Sequence, residues 1–150
     1  VVRGIPKAKQ KLMDKGLLEV ARAGEKITMK QYQDGVTRRG ALGVLMNRFH
    51  EEYDLLLTPS LPLPAFDAGK EVADVVKERR WTDWTPFSYP FNLTQQPAAS
   101  VPCGLTKAGL PAGLHIVGPK YGDALVLRAA RAYESARPFA MPDLERLRKK

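Results

Sequence analysis

Cysteine and histidine are scarce in this chain, with one Cys and two His among 150 residues. Cys103 has no partner for an intrachain disulfide, and one thiol with two imidazoles falls short of a structural zinc site. Disulfide scaffolds and zinc modules are therefore excluded, and no metal or other cofactor is expected. Long apolar runs are missing as well: no segment approaches the roughly 18 consecutive apolar residues of a membrane-spanning helix. The opening Val1-Val2-Arg3-Gly4-Ile5-Pro6 lacks the apolar stretch of a secretory signal and runs into lysines, which leads to the expectation of a cytoplasmic protein with no membrane partner. No initiator methionine stands at position 1, so Val1 is not expected to be the natural start. Internal repeats and low-complexity segments are absent too.

What is present suits a packed domain. A hydrophobic fraction of 44% and a charged fraction of 27% are close to globular averages. The length matches a single domain over 1–150, in which 137–150 reads as a frayed basic tail. The net charge of +8 raises the question of a nucleic-acid partner. Its distribution argues against one, because the basic residues fall into separated groups: Lys7, Lys9 and Lys11, then Arg79 and Arg80, then Arg146, Arg148, Lys149 and Lys150. Acidic residues intervene, and no aromatic interleaving that could stack bases accompanies them. These groups read as solvated faces.

Apolar spacing predicts a helix over 7–23 through Ala8, Leu12, Leu17 and Val20, stopped by Gly24. Thr28 with Gln31 three residues later is a capping-box pattern. It starts a long helix whose stripe of Met29, Tyr32, Val36, Leu42, Leu45, Met46 and Phe49 is expected to face a core as far as about Glu52. Leu55 to Thr58 reads as a buried strand, followed by a rigid, irregular loop through Pro59, Pro62 and Pro64. A short exposed helix is expected over 69–80. Trp81, Trp84, Phe87 and Tyr89 then crowd a loop bounded by Pro90, the pattern of a pocket wall or a buried loop. Ala98–Pro102 and Ala112–Val117 predict two strands joined by a hairpin or bulged turn. Asp123 is expected to cap a last helix that turns Leu125, Val126, Ala129, Ala130 and Tyr133 inward and ends at Pro138.

Self-contained chemistry is hard to find in this sequence. His50-Glu51 opens like a helical zinc-protease motif, but Asp54 stands where the second histidine belongs. His115 alternates against Leu114 and Ile116 in a strand, the setting of a hydrogen-bonded structural histidine. Cys103 has no indicated base to activate it, and Ser100 lacks the glycine elbow of an α/β-hydrolase nucleophile. The residues therefore describe a globular α/β domain without a catalytic constellation of its own.

A resemblance accounts for that gap. Tyr53-Asp54-Leu55-Leu56-Leu57-Thr58-Pro59, then Asn92 to Pro102 in the pattern Asn-Leu-Thr-x-x-Pro-Ala-x-Ser-Val-Pro, then Gly109 to Gly118 in the pattern Gly-Leu-Pro-x-Gly-Leu-x-Ile-Val-Gly, follow one another in order. With the helix from Asp123 to Glu134, they make Ile27–Glu134 resemble the C-terminal portion of the amidase signature enzymes, serine hydrolases that cleave carboxylic amides. The resemblance implies an α/β fold that forms part of a mixed sheet core flanked by helices. It also implies a chemistry that uses a Gly/Ser-rich loop with a nucleophilic serine, a bridging serine and a lysine. No Gly-Gly or Ser-Ser dipeptide occurs in the chain, so no catalytic residue is carried over.

The pocket wall is what the resemblance does carry over: Trp84, Phe87, Ser88 and Phe91 are the candidates for substrate contact, with Asn92 holding backbone in place. Gln95 stands where the family usually has glycine. In the amidotransferase component that makes glutaminyl-tRNA, an acidic residue gripping the glutamine amino group would fall near Thr85. Asp83 lies two positions away, which disfavours that subclass. The expectation is a C-terminal amidase segment that is inactive alone, meets a small amide only in the intact enzyme, and self-associates through exposed core edges. The alternatives are a non-catalytic interaction module or a piece of a glutamyl-tRNA amidotransferase A-type subunit.

Overall fold

A computed structural model of the chain describes residues 2–74, 77–78 and 80–139. The chain divides into two compact units, Val1–Ala41 and Leu42–Lys150. The basic tail expected at 137–150 lies outside the described residues from position 140 onward.

In the first unit, the single helix expected over 7–23 is in fact two, α1 (Lys7–Gln10) and α2 (Lys15–Gly24). The break has a local cause: the Asp14 carboxylate accepts the Leu17 backbone N–H at 2.8 Å and caps a new helix. Leu12, counted into the stripe of a continuous helix, falls in the gap and is exposed. The next helix, α3 (Met29–Glu52), starts as expected. Gln31 donates its backbone N–H to Thr28 Oγ1 at 3.2 Å, and its side-chain oxygen accepts from Thr28 N–H at 2.9 Å. The expected burial of α3 does not hold. None of its residues is buried, and Met29, Tyr32, Val36 and Leu45 are exposed. Periodicity shapes a helix face, but burial needs a second surface to cover it, and α3 lacks that cover here. At its end His50 Nδ1 donates to the Tyr53 carbonyl at 2.9 Å, and Phe49 stacks on Tyr53, which gives His50 a terminating role.

The second unit is built on a three-stranded antiparallel sheet of β1 (Leu56–Pro59), β2 (Ala98–Leu105) and β3 (Pro111–Val117), in the order β1-β3-β2. The expected hairpin is β2–β3, and its register shifts between Pro102 and Gly104, a bulge in the strand. The last helix, α5 (Asp123–Ala136), packs against β2 and β3. Its half-buried and buried positions are Leu125, Val126, Ala129, Ala130 and Tyr133, the set read from the sequence. Val126 at 2% exposure and Ile116 at 1% are buried on this side of the sheet, and Val117 is fully buried at 0%. The helix cap, however, is Gly122 rather than Asp123, which sits in the first turn. Its carboxylate there opposes the positive end of the helix dipole instead of capping a backbone amide. Gly118 is required at the sheet exit, since a Cβ there would come within 2.6 Å of Val126 Cγ2.

Between β1 and β2 the backbone is largely irregular. No helix occurs among the described residues of 69–80. Positions 75, 76 and 79 lie outside the described residues; Glu78 N–H donates to the Asp74 carbonyl, and the Glu78 carboxylate accepts from the Ala73 and Asp74 amides at 3.0 Å. A 3-10 turn at Trp81–Trp84 leads to α4 (Tyr89–Thr94), which ends on Gln95 in a left-handed conformation with φ 60° and ψ 38°. Glycine reaches that region without Cβ strain, which explains why glycine suits this position and marks Gln95 as the costly choice. Among the described residues, no helix is long and apolar enough to cross a membrane.

Candidate functional site

Strand register decides which side chains meet. Thr58 and Ser100 both pair with His115, and Ser60 N–H donates to the Gly113 carbonyl at 2.9 Å. Because neighbours along a strand alternate between faces, Thr58, Ser60, Ser100, Gly113 and His115 share one face, while Ile116 lies on the other, toward α5. The shared face is polar. Ser60 Oγ and Ser100 Oγ are hydrogen-bonded at 2.6 Å, and Thr58 Oγ1 lies 3.5 Å from His115 Nδ1. His115 is buried, and Phe91 packs edge-on against its imidazole at 5.3 Å between ring centroids. Burial disfavours the charged ring and lowers its pKa below the ordinary 6.5.

This polar face opens into a cleft of about 740 Å³. One side is the proline-rich loop from Pro59 to Lys70, and the other is formed by Ser100, Thr106 and Pro111–Gly113. Trp84 also lines the cleft. Its indole N–H donates to the Glu71 carbonyl at 2.9 Å, and its ring meets Phe66 edge-on at 5.4 Å. The prolines hold the loop rigid and contribute no donors, so most of the lining is apolar. Two charges border it, Asp67 and Lys70, and they are paired. The hydrogen bond from Lys70, then its positive charge, hold the Asp67 carboxyl below its ordinary value.

Of the four side chains expected at the substrate, Trp84 lines this cleft. Phe91 is buried under His115. Phe87 and Ser88 lie in the turn before α4, where Ser88 Oγ donates to the Thr85 carbonyl at 3.2 Å. Thr85 in turn donates to Tyr89 Oη, which donates to the Thr82 carbonyl, both at 2.7 Å. This hydroxyl chain fixes the aromatic loop. Asn92 is exposed, so the backbone-holding role expected of it falls to its neighbours. Thr94 Oγ1 donates to Gln96 Oε1 at 2.7 Å, and Gln96 Nε2 donates to the Gly118 carbonyl at 3.1 Å, all within buried surroundings.

Sequence reasoning missed Ser60 and Gly113 and set Ser100 aside for lacking a glycine elbow. Forty positions separate the two serines, and only the strand register brings them together. One signal was available: a glycine inside a predicted strand marks a close approach. A Cβ at Gly113 would lie 2.7 Å from Ser60 Oγ and 2.9 Å from Ser100 Oγ.

Comparison with known proteins places the chain. The model of the family described as Amidase matches residues 5–127. An acylamidase of Rhodococcus erythropolis is 34% identical over 133 residues, 85% of this chain and 28% of that protein. The A-type subunit of the glutamyl-tRNA(Gln) amidotransferase of Myxococcus xanthus is 45% identical over 92 residues, 61% of this chain and 18% of that protein. The crystal structure of a bacterial aryl acylamidase of the amidase signature family superposes with a TM-score of 0.71 at 30% identity, covering 85% of this chain and 27% of that one. The chain thus spans less than a third of the length of these relatives. A family match over most of the chain, joined to this likeness in fold, shows that the chain belongs to the amidase family.

Proposed function

We propose that this chain is the C-terminal segment of an amidase that hydrolyses a carboxylic amide to an acid and ammonia or an amine. It supplies scaffold and one wall of the substrate cleft and has no hydrolytic activity alone. The observation that carries this reading is the mostly apolar cleft between the Pro59–Lys70 loop and the β2–β3 hairpin, lined also by Trp84. Such a cavity binds substrate and leaves the bond-breaking groups to be supplied by the rest of the enzyme. Trp84 is the substrate contact in this reading, and Phe87, Ser88 and Phe91 shape the approach behind it.

A chimera tests the reading. Replacing the matching 133-residue segment of the Rhodococcus erythropolis acylamidase with this chain is expected to give an enzyme that still hydrolyses a neutral anilide. A folded chimera without that activity overturns the proposal. The 45% identity to the A-type component of an amidotransferase favours a second reading, a fragment of such a component. Against it, the position expected to hold an acid is Thr85, whose hydroxyl is committed to Tyr89. Preference of the chimera for glutamine over the anilide would reverse the order of the two readings. Self-association belongs to the first reading, because among the described residues β1 and β2 are both sheet edges and Met29, Tyr32, Val36 and Leu45 of the α3 stripe are exposed. Sedimentation showing a clean monomer across micromolar concentrations would remove it.

A further inference from the structure

The geometry points to the Ser60–Ser100 hydroxyl pair, seated over Gly113, as the polar anchor of the cleft: it holds a neutral hydrogen-bond acceptor, such as an amide carbonyl, on a ligand whose flat apolar part lies toward Phe66 and Trp84. This assignment rests on the cleft being a substrate wall, as proposed above. Proton counting carries it. Two hydroxyls own two protons, and the 2.6 Å bond between them uses one, whichever serine donates. One O–H is left over, and among the described residues neither hydroxyl has another side-chain or backbone partner.

The leftover donor stands in the lining of a mostly apolar cleft. A charged ligand group finds no free counter-charge there, since Asp67 and Lys70 neutralise each other. A neutral acceptor is the group this lining accommodates. Gly113 makes the arrangement specific: any Cβ at that position would fall within 3.0 Å of both oxygens and force the pair apart. The edge-to-face contact of Phe66 with Trp84 at 5.4 Å gives the far end an aromatic surface against which a ring can pack.

The experiment titrates the 150-residue chain with acetanilide and, in parallel, with propylbenzene, a probe of similar size without an acceptor, and follows backbone amide shifts by NMR. Acetanilide is expected to shift Ser60, Ser100, Gly113 and Trp84 and to bind about five- to tenfold more tightly than propylbenzene. Ser100→Ala and Ser60→Ala are each expected to remove that preference while leaving propylbenzene binding unchanged. Gly113→Ala is expected to remove it too, and the retained amide spectrum of the serine variants controls for folding. If acetanilide shifts the cleft residues but shows no preference over propylbenzene, or keeps its preference in both serine variants, the anchor is overturned while the amidase reading stands. If neither probe shifts the cleft residues, the anchor and the cleft wall fall together.

Discussion

Helices α3 and α5 both read from the sequence as burying an apolar stripe, yet α5 is the more strongly amphipathic of the two and the two meet different fates. In α5 the stripe is covered by the sheet, with Val126 lodged against Gly118 and Ile116 on the same face of β3. In α3 the stripe is only partly covered: Leu42, Met46 and Phe49 are half-buried, while Leu45 at 61% exposure and Met29 at 71% stay in solvent. Cover is part of the difference, because the sheet lies over the α5 stripe, and weaker amphipathicity in α3 is the rest. Amphipathic spacing tells which face of a helix wants burial, whereas the covering surface is set by distant parts of the fold.

Substitutions probe this contrast directly, and the largest effect is expected beneath α5. Ile116→Ala should destabilise the second unit by about 3 kcal/mol in urea unfolding, because it removes a buried side chain from the middle strand and leaves a cavity. Next comes Gly118→Ala, expected to cost about 1–3 kcal/mol by driving a methyl into Val126, with partial recovery in the double variant Gly118→Ala, Val126→Ala. Gln95→Gly should act in the other direction and stabilise by about 0.5–1 kcal/mol, since glycine relieves the left-handed backbone at the end of α4. At the small end, Leu45→Ala on the open face of α3 should change stability by no more than about 0.5 kcal/mol. A loss of about 2 kcal/mol or more would show that α3 is covered in solution.

Acid reports on the polar face of the sheet, opposite α5. The His115 pKa is lowered in the folded chain by burial, so as pH falls the unfolded chain takes up the proton first. The stability contributed by neutral His115 is fully present above its ordinary value of 6.5 and is lost as pH drops through the lowered one. Urea midpoints measured across this window should therefore fall more steeply in the parent chain than in His115→Gln. Parallel curves would mean that the imidazole is solvated in both states.

Local chemistry was legible in the sequence wherever neighbours in the chain settle it. The Thr28–Gln31 capping box, the inward set of α5 and the β2–β3 hairpin are examples. Asp14 also acts locally, yet the apolar spacing across 7–23 masked the cap that splits the helix. What could not be read depends on distant partners: the exposure of α3 and the meeting of Ser60 with Ser100 over Gly113. Gln95 lies between these cases. Its departure from glycine was visible in the sequence, but the left-handed turn that gives the departure a cost appears only in the backbone. The aromatic cluster divides in the same way, with Trp84 at the cleft and Phe91 under His115, although both stand in one short stretch of sequence.

A chain that forms the wall of an amide site and holds none of its chemistry should be inert by itself. The most direct test is amide hydrolysis by the isolated chain, assayed as amine released from an anilide through successive steps of purification. No release above the uncatalysed background is predicted. Turnover that stays proportional to the amount of this chain through every step would contradict that prediction and place the reacting groups within these 150 residues.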